Sequence, residues 1–494
     1  MRTWDLAIAL DATGRQPLFL QIARAITEDV RRGRLRPGDP LPGSRSLART
    51  LEVHRNTVLA AYRELVAEGW ISTKPAGGTF ISSALPDPAP RRFAATAVPR
   101  DEVPGRLGFD LKPPSEPAWA PLPRGTLSLA EGAPDLRLAP IAALGRAYRR
   151  ALRVPRRATL GYGDPRGHVR LRAALADMLS ATRGLAATAD HVLITRGSQM
   201  ALDLLARVLT GAGETLAVES WGYRPAWTSF RLAGARLAPL PVDGSGVDVT
   251  ALRELVQREP VRAVYVTPHH QYPTTVTLAA ARRLELLELA RTHRIAVIED
   301  DYDNEFHYEG RPVLPLASAD QSGVVVYIGT LSKILAPGLR IGYIVAPPPM
   351  IARLAELRTF VDRQGDQAVE CAVAELLEDG EVQRHARRSR RAYVARRDAL
   401  AEALSQRLGG VLTFDVPAGG MGLWVRAAED IDVDAWLGRA LERGVAFAAG
   451  RRFAFDGRHR PCMRLTFAAL NESEIDEAVS RMQQSLATRR ARAG

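Results

Sequence analysis

A lysine lies in a short run of residues whose side chains are suited to holding a phosphorylated aldehyde. Lys333 carries an amine that can form a Schiff base with an aldehyde, and Thr330, Ser332 and Arg340 flank it. Hydroxyl groups donate hydrogen bonds to phosphate oxygens, and a guanidinium group binds two such oxygens at once. Asp300 ends an upstream apolar run, and its carboxylate can pair with a protonated pyridine nitrogen. Together these residues predict a site for pyridoxal 5'-phosphate (PLP).

The residues of this site lie among alternating strand and helix patterns. The apolar runs are His191–Ile194, Thr215–Val218, Ala263–Val266, Ile295–Ile298, Val324–Ile328 and Ile341–Val345. Strands that alternate with helices predict a mostly parallel sheet covered by helices on both faces. A smaller α+β unit is expected after it.

The first 83 residues show a different pattern, with three short helices followed by two strands. The spacing predicts one helix over Pro17–Arg32, a second from Ser44 and a third after Val53. Ser44 is expected to cap the second helix. This order is typical of a winged helix-turn-helix, whose third helix enters the major groove of DNA. Arginine can pair with guanine there, and asparagine with adenine. The predicted DNA contacts are Arg45, His54, Arg55, Asn56 and Thr57, with Gly77 and Gly78 in the turn between the strands.

Composition excludes several classes of protein. The chain of 494 residues carries 67 basic and 55 acidic residues, and a basic surface attracts polyanions. An arginine-rich composition produces the same charge without DNA binding, so charge alone leaves both interpretations open. Two cysteines, Cys371 and Cys462, exclude a disulfide scaffold, a zinc finger and an iron–sulfur protein, and no metal site is expected. No apolar run is long enough for a membrane span or a signal peptide, which favours a cytoplasmic protein.

Shifts in composition divide the chain into four parts. We expect a winged helix over residues 1–83, a linker over 84–124, a large α/β domain over 125–383 and a small α+β subdomain over 384–494. The linker prediction rests on ten prolines without apolar periodicity. The arginine-rich run Arg384–Arg397 is interpreted as a solvated helix face rather than a second DNA site.

The segment from Pro17 to Trp70 resembles the GntR family of bacterial regulators. The resemblance rests on the strings Pro17-Leu18-Phe19-Leu20-Gln21-Ile22-Ala23, Leu41-Pro42-Gly43-Ser44-Arg45 and Val53-His54-Arg55-Asn56-Thr57. It implies that this unit binds double-stranded DNA. Gly43 and His54 differ from the residues usual in that family, which leaves the base preference open.

The segment Ser332-Lys333-x-x-x-Pro337-Gly338-x-Arg340-x-Gly342 resembles class I aminotransferases of fold type I. The resemblance implies that Lys333 forms the Schiff base, that Asp300 pairs with the ring nitrogen, and that Arg464 binds a carboxylate of the substrate or effector. It also implies an expected set of further cofactor contacts: Ser198, Gln199, Tyr223, Tyr302, Thr330, Ser332, Arg340 and, on the neighbouring subunit's phosphate, Tyr162.

One departure points to a subgroup. Aminotransferases usually carry Asn-Pro-x-Gly after the central strand, whereas this chain has Tyr272 for the asparagine and Thr275 for the glycine. The string His270-Gln271-x-Pro273 is instead typical of the MocR subgroup of GntR regulators. A winged helix joined by a proline-rich linker to an aminotransferase-like domain is also that subgroup's architecture.

The resemblance implies a homodimeric, PLP-binding regulator of transcription. Its partners would be an operator in double-stranded DNA and either PLP itself or a small amine or amino acid, sensed through the Schiff base. A working aminotransferase with an attached DNA-binding domain is the alternative, because the residues for a half-reaction are present. A DNA-binding protein with an empty, purely dimerising domain is a third interpretation, which the intact cofactor residues disfavour.

Overall fold

The computed structural model divides the chain into two compact units, Met1–Trp119 and Ala120–Gly494. The structure describes residues 8–11, 16–74, 77–86, 108–111, 122–153, 159–311 and 313–486. Most of the predicted linker over 84–124 lies outside these residues. Within the described ranges, no helix combines the length and apolar character needed to cross a lipid bilayer.

The first unit is a three-helix module with a small antiparallel sheet. Its elements are α1 (Leu18–Arg31), α2 (Ser44–Thr50), α3 (Arg55–Ala67), β1 (Pro40–Leu41), β2 (Ile71–Lys74) and β3 (Gly78–Ile81). The strands pair in the order β1-β3-β2. The predicted helices and the two-stranded turn are therefore confirmed, and β1 is an addition to the prediction. The predicted cap is wrong: Gly43 precedes α2, and Ser44 is its first residue.

Helical periodicity explains the core of this unit. Apolar side chains three or four positions apart share one face of a helix. Helices this short are not stable through helix propensity alone, so burial of that face stabilises them. In α1 the buried face carries Ile22, Ile26 and Val30, and in α3 it carries Val58 and Leu65. The opposite face of α3 carries exposed residues, among them Arg63 and Val66.

The second unit is built on a seven-stranded sheet. Its described strands are β4 (Leu127–Ser128), β5 (Val192–Thr195), β6 (Thr215–Glu219), β7 (Arg236–Leu240), β8 (Val242–Asp243), β9 (Gly246–Val247), β10 (Val261–Val266), β11 (Ala296–Asp301), β12 (Val325–Thr330), β13 (Gly342–Val345), β14 (Leu412–Phe414), β15 (Gly422–Ala427), β16 (Val445–Ala446), β17 (Ala448–Ala449) and β18 (Cys462–Thr466). Its described α-helices are α4 (Ile141–Ala151), α5 (Val169–Arg183), α6 (Ser198–Leu209), α7 (Arg224–Leu232), α8 (Val249–Arg258), α9 (Ala280–His293), α10 (Leu316–Ala319), α11 (Pro348–Val361), α12 (Gln367–Glu378), α13 (Glu381–Leu408), α14 (Val433–Glu442) and α15 (Glu472–Ser485).

The large sheet has the order β5-β13-β12-β11-β10-β6-β7. All neighbours are parallel except β13, which runs antiparallel to both β12 and β5. Each of the six predicted apolar runs overlaps a different strand of this sheet, so the mostly parallel α/β prediction is confirmed. The edge strand β7 was missed because its sequence, with Pro239, is only partly apolar; proline is tolerated at a sheet edge since one side of that strand needs no partner.

A second sheet, in the order β14-β15-β18-β17, forms the base of a smaller α+β part. All its pairs are antiparallel, and its core also includes side chains of α13, α14 and α15. Fold type I with a smaller α+β subdomain is thus the observed architecture. The subdomain boundaries at 383 and 384 stay a prediction.

The arginine-rich run lies in α13 and is only partly solvated. Arg396 and Arg397 are buried, which corrects the expectation of one exposed face. Arg396 Nη2 lies 2.8 Å from Asp135 Oδ2, and Arg397 Nη1 lies 2.6 Å from Glu309 Oε1. Buried cations need such partners because their desolvation is costly. These two arginines therefore hold α13 against neighbouring segments.

Candidate cofactor and DNA-binding sites

A cavity of about 300 Å³ opens where the carboxyl ends of β10, β11 and β12 meet the amino end of α6. Ligands of open α/β sheets bind at this edge of the sheet. The cavity brings together ten residues that the sequence predicted: Ser198, Gln199, Tyr223, Asp300, Tyr302, Thr330, Ser332, Lys333, Arg340 and Arg464.

Lys333 reaches the cavity from the turn after β12. Its Nζ donates a hydrogen bond of 2.8 Å to the Gly132 carbonyl oxygen. Burial and the nearby Arg464 guanidinium lower the pKa of Lys333 to about 8. A larger share of the amine is therefore neutral near pH 7, and the neutral form is the one that attacks an aldehyde.

Asp300 lies near the end of β11. Within the described residues, one of its carboxylate oxygens accepts a hydrogen bond and the other does not. The Tyr265 hydroxyl donates to Asp300 Oδ2 at 2.8 Å. Asp300 Oδ1 is buried and has no hydrogen-bond partner in the described part of the chain. Burial raises the pKa of this carboxyl to about 7. A buried carboxylate oxygen without a partner fits a protonated pyridine nitrogen, so the residues present suit PLP.

The amino end of α6 forms a cradle for an anion. Gly197 precedes the helix with φ of 78°, and a Cβ at this position would lie 2.8 Å from Arg340 Nη2. A glycine is therefore needed for Arg340 to approach the helix, where Arg340 Nη2 donates to the Arg196 carbonyl oxygen at 2.7 Å. Free backbone N–H groups and the helix dipole favour a phosphate at such an end. Ser198, Thr330 and Ser332 line the same part of the cavity.

Three tyrosines form an aromatic wall. The Tyr272 ring makes edge contacts with Tyr223 and Tyr302, at centroid distances of 5.6 and 5.8 Å. Burial raises the pKa of Tyr223 to about 12 and that of Tyr302 well above its usual value, so both hydroxyls stay protonated. The Tyr302 hydroxyl donates to the His270 carbonyl oxygen at 3.1 Å. Gln199 lines the cavity, but its Nε2 donates to Ser229 Oγ at 2.7 Å.

Arg464 is a buried cation without an acidic partner. It lies on β18, is 1% exposed, and has its guanidinium carbon 4.9 Å from the centre of the Tyr272 ring. Its Nε lacks a hydrogen-bond partner, and no described carboxylate forms an ion pair with it. An unpaired buried charge is unfavourable, so a carboxylate from a ligand would satisfy it.

The predicted DNA-contacting residues lie around the amino end of α3. His54 caps this helix, with its Nδ1 accepting from the Asn56 backbone N–H at 3.2 Å. Arg55 Nε donates to Ser44 Oγ at 3.3 Å, which links α3 to α2. The side chains of Arg45, His54, Arg55 and Asn56 are exposed and that of Thr57 is half-buried, while Gly77 and Gly78 are exposed in the β2–β3 turn. This is the face that a winged helix presents to DNA.

Two family models match the chain. The model for aminotransferases of class I and II matches residues 125–482, and the model for bacterial regulatory proteins of the gntR family matches residues 18–81. The probable rhizopine catabolism regulatory protein MocR of Rhizobium meliloti is 30% identical over 97% of this chain and 95% of that protein. The chain belongs to the MocR-type GntR regulators. It is thus a DNA-binding, PLP-binding transcriptional regulator with an aminotransferase-like domain.

Further relatives match either the whole of this MocR-type chain or its aminotransferase-like part. The pyridoxine biosynthesis regulator PdxR of Corynebacterium glutamicum is 31% identical over 90% of this chain and 95% of that protein. The α-aminoadipate aminotransferase LysN of Thermus thermophilus, solved with N-(5'-phosphopyridoxyl)-L-leucine, is 31% identical with a TM-score of 0.69, covering 74% of this chain and 92% of that one.

The MocR-type departure from aminotransferases is visible in the site. Tyr272, which stands where they have asparagine, forms the centre of the aromatic wall. Thr275, which replaces their glycine, has φ of 65°, a left-handed conformation that β-branched residues rarely adopt. The backbone at Thr275 therefore has the left-handed conformation that a glycine adopts easily, although the residue is a threonine.

The sequence missed several residues that line the site of this MocR-type protein. They include Gly132, Tyr265 and Met421, which come from segments without a recognised motif. Only Tyr265 had a usable signal, since it is a polar aromatic in an otherwise aliphatic strand. Tyr162 is 81% exposed and lies under the Arg363 guanidinium at 4.1 Å, away from the residues that line this cavity. Its contact with a neighbouring subunit's phosphate stays a prediction.

Proposed function

We propose that the protein is a homodimeric regulator whose DNA affinity changes when an effector occupies the PLP cavity. The observation that carries this proposal is one cavity holding three groups: the Lys333 amine, the unpartnered Asp300 oxygen and the unpaired Arg464 cation. The effector is then PLP itself or an amine that also bears a carboxylate. Because bacterial operator DNA lies in the cytoplasm, the proposal includes that location.

Each polar group of the cavity has a separate task. When bound, PLP supplies an aldehyde that exchanges between amines. Lys333 provides the resident amine, whose lowered pKa favours that exchange near neutral pH. Asp300 would hold the ring nitrogen by charge and hydrogen bond, and Arg464 would bind the effector's carboxylate through its planar guanidinium fork.

The proposed dimer explains the position of Tyr162. Its side chain is 81% exposed, and the Arg363 guanidinium, between α11 and α12, lies 4.1 Å from the centre of its ring. In the dimer, Tyr162 would contribute to holding the phosphate of the other subunit's cofactor. Two winged helices then read paired half-sites, whose separation follows from the dimer's geometry.

The proposed domain boundaries fit this mechanism. The winged helix over 1–83 binds DNA, and the linker over 84–124 joins it to the large domain over 125–383 and the small subdomain over 384–494. An effector shifts the population between arrangements of these parts only if it binds one arrangement more tightly. Closure of the small subdomain, which carries Arg464, over a bound carboxylate supplies that difference.

The test is a fluorescence anisotropy titration of the full-length protein on its own upstream intergenic DNA at constant salt. Constant salt is needed because phosphate contacts make affinity steeply dependent on ionic strength. We expect specific binding that changes when PLP, or PLP with an amino acid, is added. An amine without a carboxylate serves as the matched control for the role of Arg464. Absence of specific binding would overturn the proposal and favour the aminotransferase alternative.

A further inference from the structure

Three histidines meet behind the cofactor cavity, outside the predicted PLP contacts. His269 and His270 lie in the loop after β10, and His307 lies in the segment after β11. One nitrogen from each ring lies within 4.8 Å of the nitrogens from the other two. The ring centroids of His269 and His270 are 4.4 Å apart, and His307 is 6.0 and 6.2 Å from them.

Most polar atoms of this histidine cluster lack protein partners. Both ring nitrogens of His269 are buried and have no hydrogen bond within the described ranges, and both ring nitrogens of His307 are buried beside the Glu309 backbone. Asp303 Oδ2, on the same side, is also buried without a partner. Buried polar atoms are nearly always satisfied in folded proteins, so this concentration points to a ligand that accepts imidazole lone pairs.

Asp303 fixes the orientation of the third histidine. His270 Nδ1 lies 2.8 Å from Asp303 Oδ1, and Asp303 is 1% exposed. The His270 Nδ1–H therefore donates to the carboxylate, which leaves the Nε2 lone pair free. A Cβ on Gly419 would lie 2.3 Å from this Nε2, so the Gly419 backbone packs closely beside the ring and only a glycine fits there. A carboxylate behind a histidine is the usual arrangement around metal-binding imidazoles.

We infer that His269, His270 and His307 bind a zinc ion, with Asp303 as the positioning residue for His270. Three imidazoles and one water molecule form a four-coordinate zinc site with Zn–N distances of ~2.0–2.1 Å. This geometry needs nitrogens about 3.4 Å apart, so rings whose nitrogens now lie within 4.8 Å of one another would draw together around the ion. The expectation of no metal site rested on cysteine spacing, and histidines from two separate loops escape that criterion.

Zinc at this site would join two loops that also serve the cofactor. The His270 carbonyl oxygen accepts the hydrogen bond from Tyr302, and Tyr272 follows in the same loop. His307 forms an isolated β-bridge with Gly419, in the segment before β15. The ion therefore ties the floor of the PLP cavity to the small subdomain.

The first experiment measures zinc per chain in the full-length protein. The protein is treated with EDTA, dialysed, incubated with zinc sulfate, desalted and analysed by plasma mass spectrometry. We expect about one zinc per chain, and a loss of about tenfold or more in the His269→Gln, His307→Gln double variant. His385→Gln is the matched control, because His385 is buried, has an unpartnered Nδ1 and lies outside the cluster.

A second control tests a surface cluster of carboxylates and a histidine as an alternative zinc site. Asp432, Asp434 and His459 also lie close together, but His459 Nδ1 already pairs with Asp434 Oδ2 at 2.8 Å and the group is largely exposed. His459→Ala should leave the zinc content unchanged. No zinc uptake by the wild-type protein, or equal uptake by the double variant, would overturn the inference.

The remaining measurements use the wild-type protein and one conservative variant. Cobalt added to the metal-free wild-type protein should produce the intense visible absorption of a four-coordinate site, and zinc should abolish it. Asp303→Asn should weaken zinc affinity about 10–100-fold without abolishing binding, because it changes only the orientation and basicity of His270. A cobalt spectrum typical of six-coordinate, water-rich ions would contradict a three-histidine site.

Discussion

The DNA-contacting face and the PLP cavity present their functional residues in opposite ways. At the amino end of α3, His54, Arg55 and Asn56 are exposed, and the hydrogen bonds of His54 and Arg55 stay within the α2–α3 region. In the cavity, Asp300 and Arg464 are buried with atoms that have no hydrogen-bond partner among the described residues. The cavity therefore carries its own evidence of a ligand, since burial without partners is unfavourable. The DNA face carries none, because water satisfies exposed groups, and its assignment depends on fold and family.

Removal of the Lys333 amine should have the largest effect on cofactor binding. It tests whether the PLP cavity, rather than the DNA-contacting face, has been assigned correctly. The chain has three lysines, Lys74, Lys112 and Lys333. Lys333→Ala should abolish the covalent link to PLP, seen as complete loss of the protein-linked visible absorption and of the borohydride-fixed cofactor. Lys74→Ala, which removes an exposed lysine of β2, is the control and should keep both signals.

Peptide mapping of the borohydride-treated wild-type protein makes this prediction stricter. The fixed cofactor should appear on the peptide that contains Lys333. A label on another lysine, or an unchanged spectrum in Lys333→Ala, would mean that the cavity does not hold the cofactor through this residue.

The sequence predicted the fold well where local patterns determine it. Apolar runs identified six strands of the large sheet, and helical spacing identified α1 and α3. The edge strand β7 and the two-residue β1 escaped, because their pairing depends on contacts distant in the chain rather than on periodicity. The cap of α2 was misplaced by one residue, since Gly43 can occupy that position without a side-chain hydrogen bond.

The site was predictable only through residues that belong to motifs. Ten of the predicted residues line the cavity because strand ends and helix starts bring motif residues to one edge. Tyr265 and Gly132 could not be found, since their roles arise from a cross-strand hydrogen bond and a backbone carbonyl. The histidine cluster escaped for the same reason: its members come from two loops that meet only in the folded chain.

Arg464 should give the next largest effect, because it is the buried cation that a ligand carboxylate would satisfy. Arg464→Ala should weaken the binding of a carboxylate effector by about 2–5 kcal/mol. This is the usual cost of removing one partner of a buried charge pair. PLP absorption should persist. Anisotropy titrations with the effector measure the shift, and Arg464→Lys, which keeps charge without the planar fork, should recover part of it. A normal response in Arg464→Ala would indicate that PLP itself is the effector.

Arg55 tests the other half of the comparison, where structure alone gives no sign of a ligand. Arg55→Ala should weaken specific DNA binding by about 1–3 kcal/mol and relax the preference at one base pair. Arg45 is the matched exposed arginine: as a phosphate contact, Arg45→Ala should weaken binding to all sequences alike and reduce the salt slope by about one. Equal effects of both variants on specific and non-specific DNA would remove the assignment of Arg55 to base recognition.

The smallest effect is a pH dependence that reports the unpartnered Asp300 oxygen directly. In the PLP-free protein the pKa of Asp300 is raised to about 7, whereas in the unfolded chain it is about 4. Between these values the folded state keeps a proton that the unfolded state has lost, so the free energy of unfolding falls as pH rises. Asp300 contributes up to about 1.4 kcal/mol per pH unit to this fall.

Urea unfolding of the PLP-free protein from pH 5 to 7 measures that slope. Asp300→Asn should flatten it but not remove it, because burial also raises the pKa of Glu219 and of Glu299 to about 7. Addition of PLP to the wild-type protein should flatten it too, since a protonated ring nitrogen beside Asp300 favours the carboxylate and lowers its pKa. If PLP left the slope unchanged while binding normally, the ring nitrogen would not pair with Asp300. The cavity would then resemble the DNA face, in that its key contact could be assigned only by family.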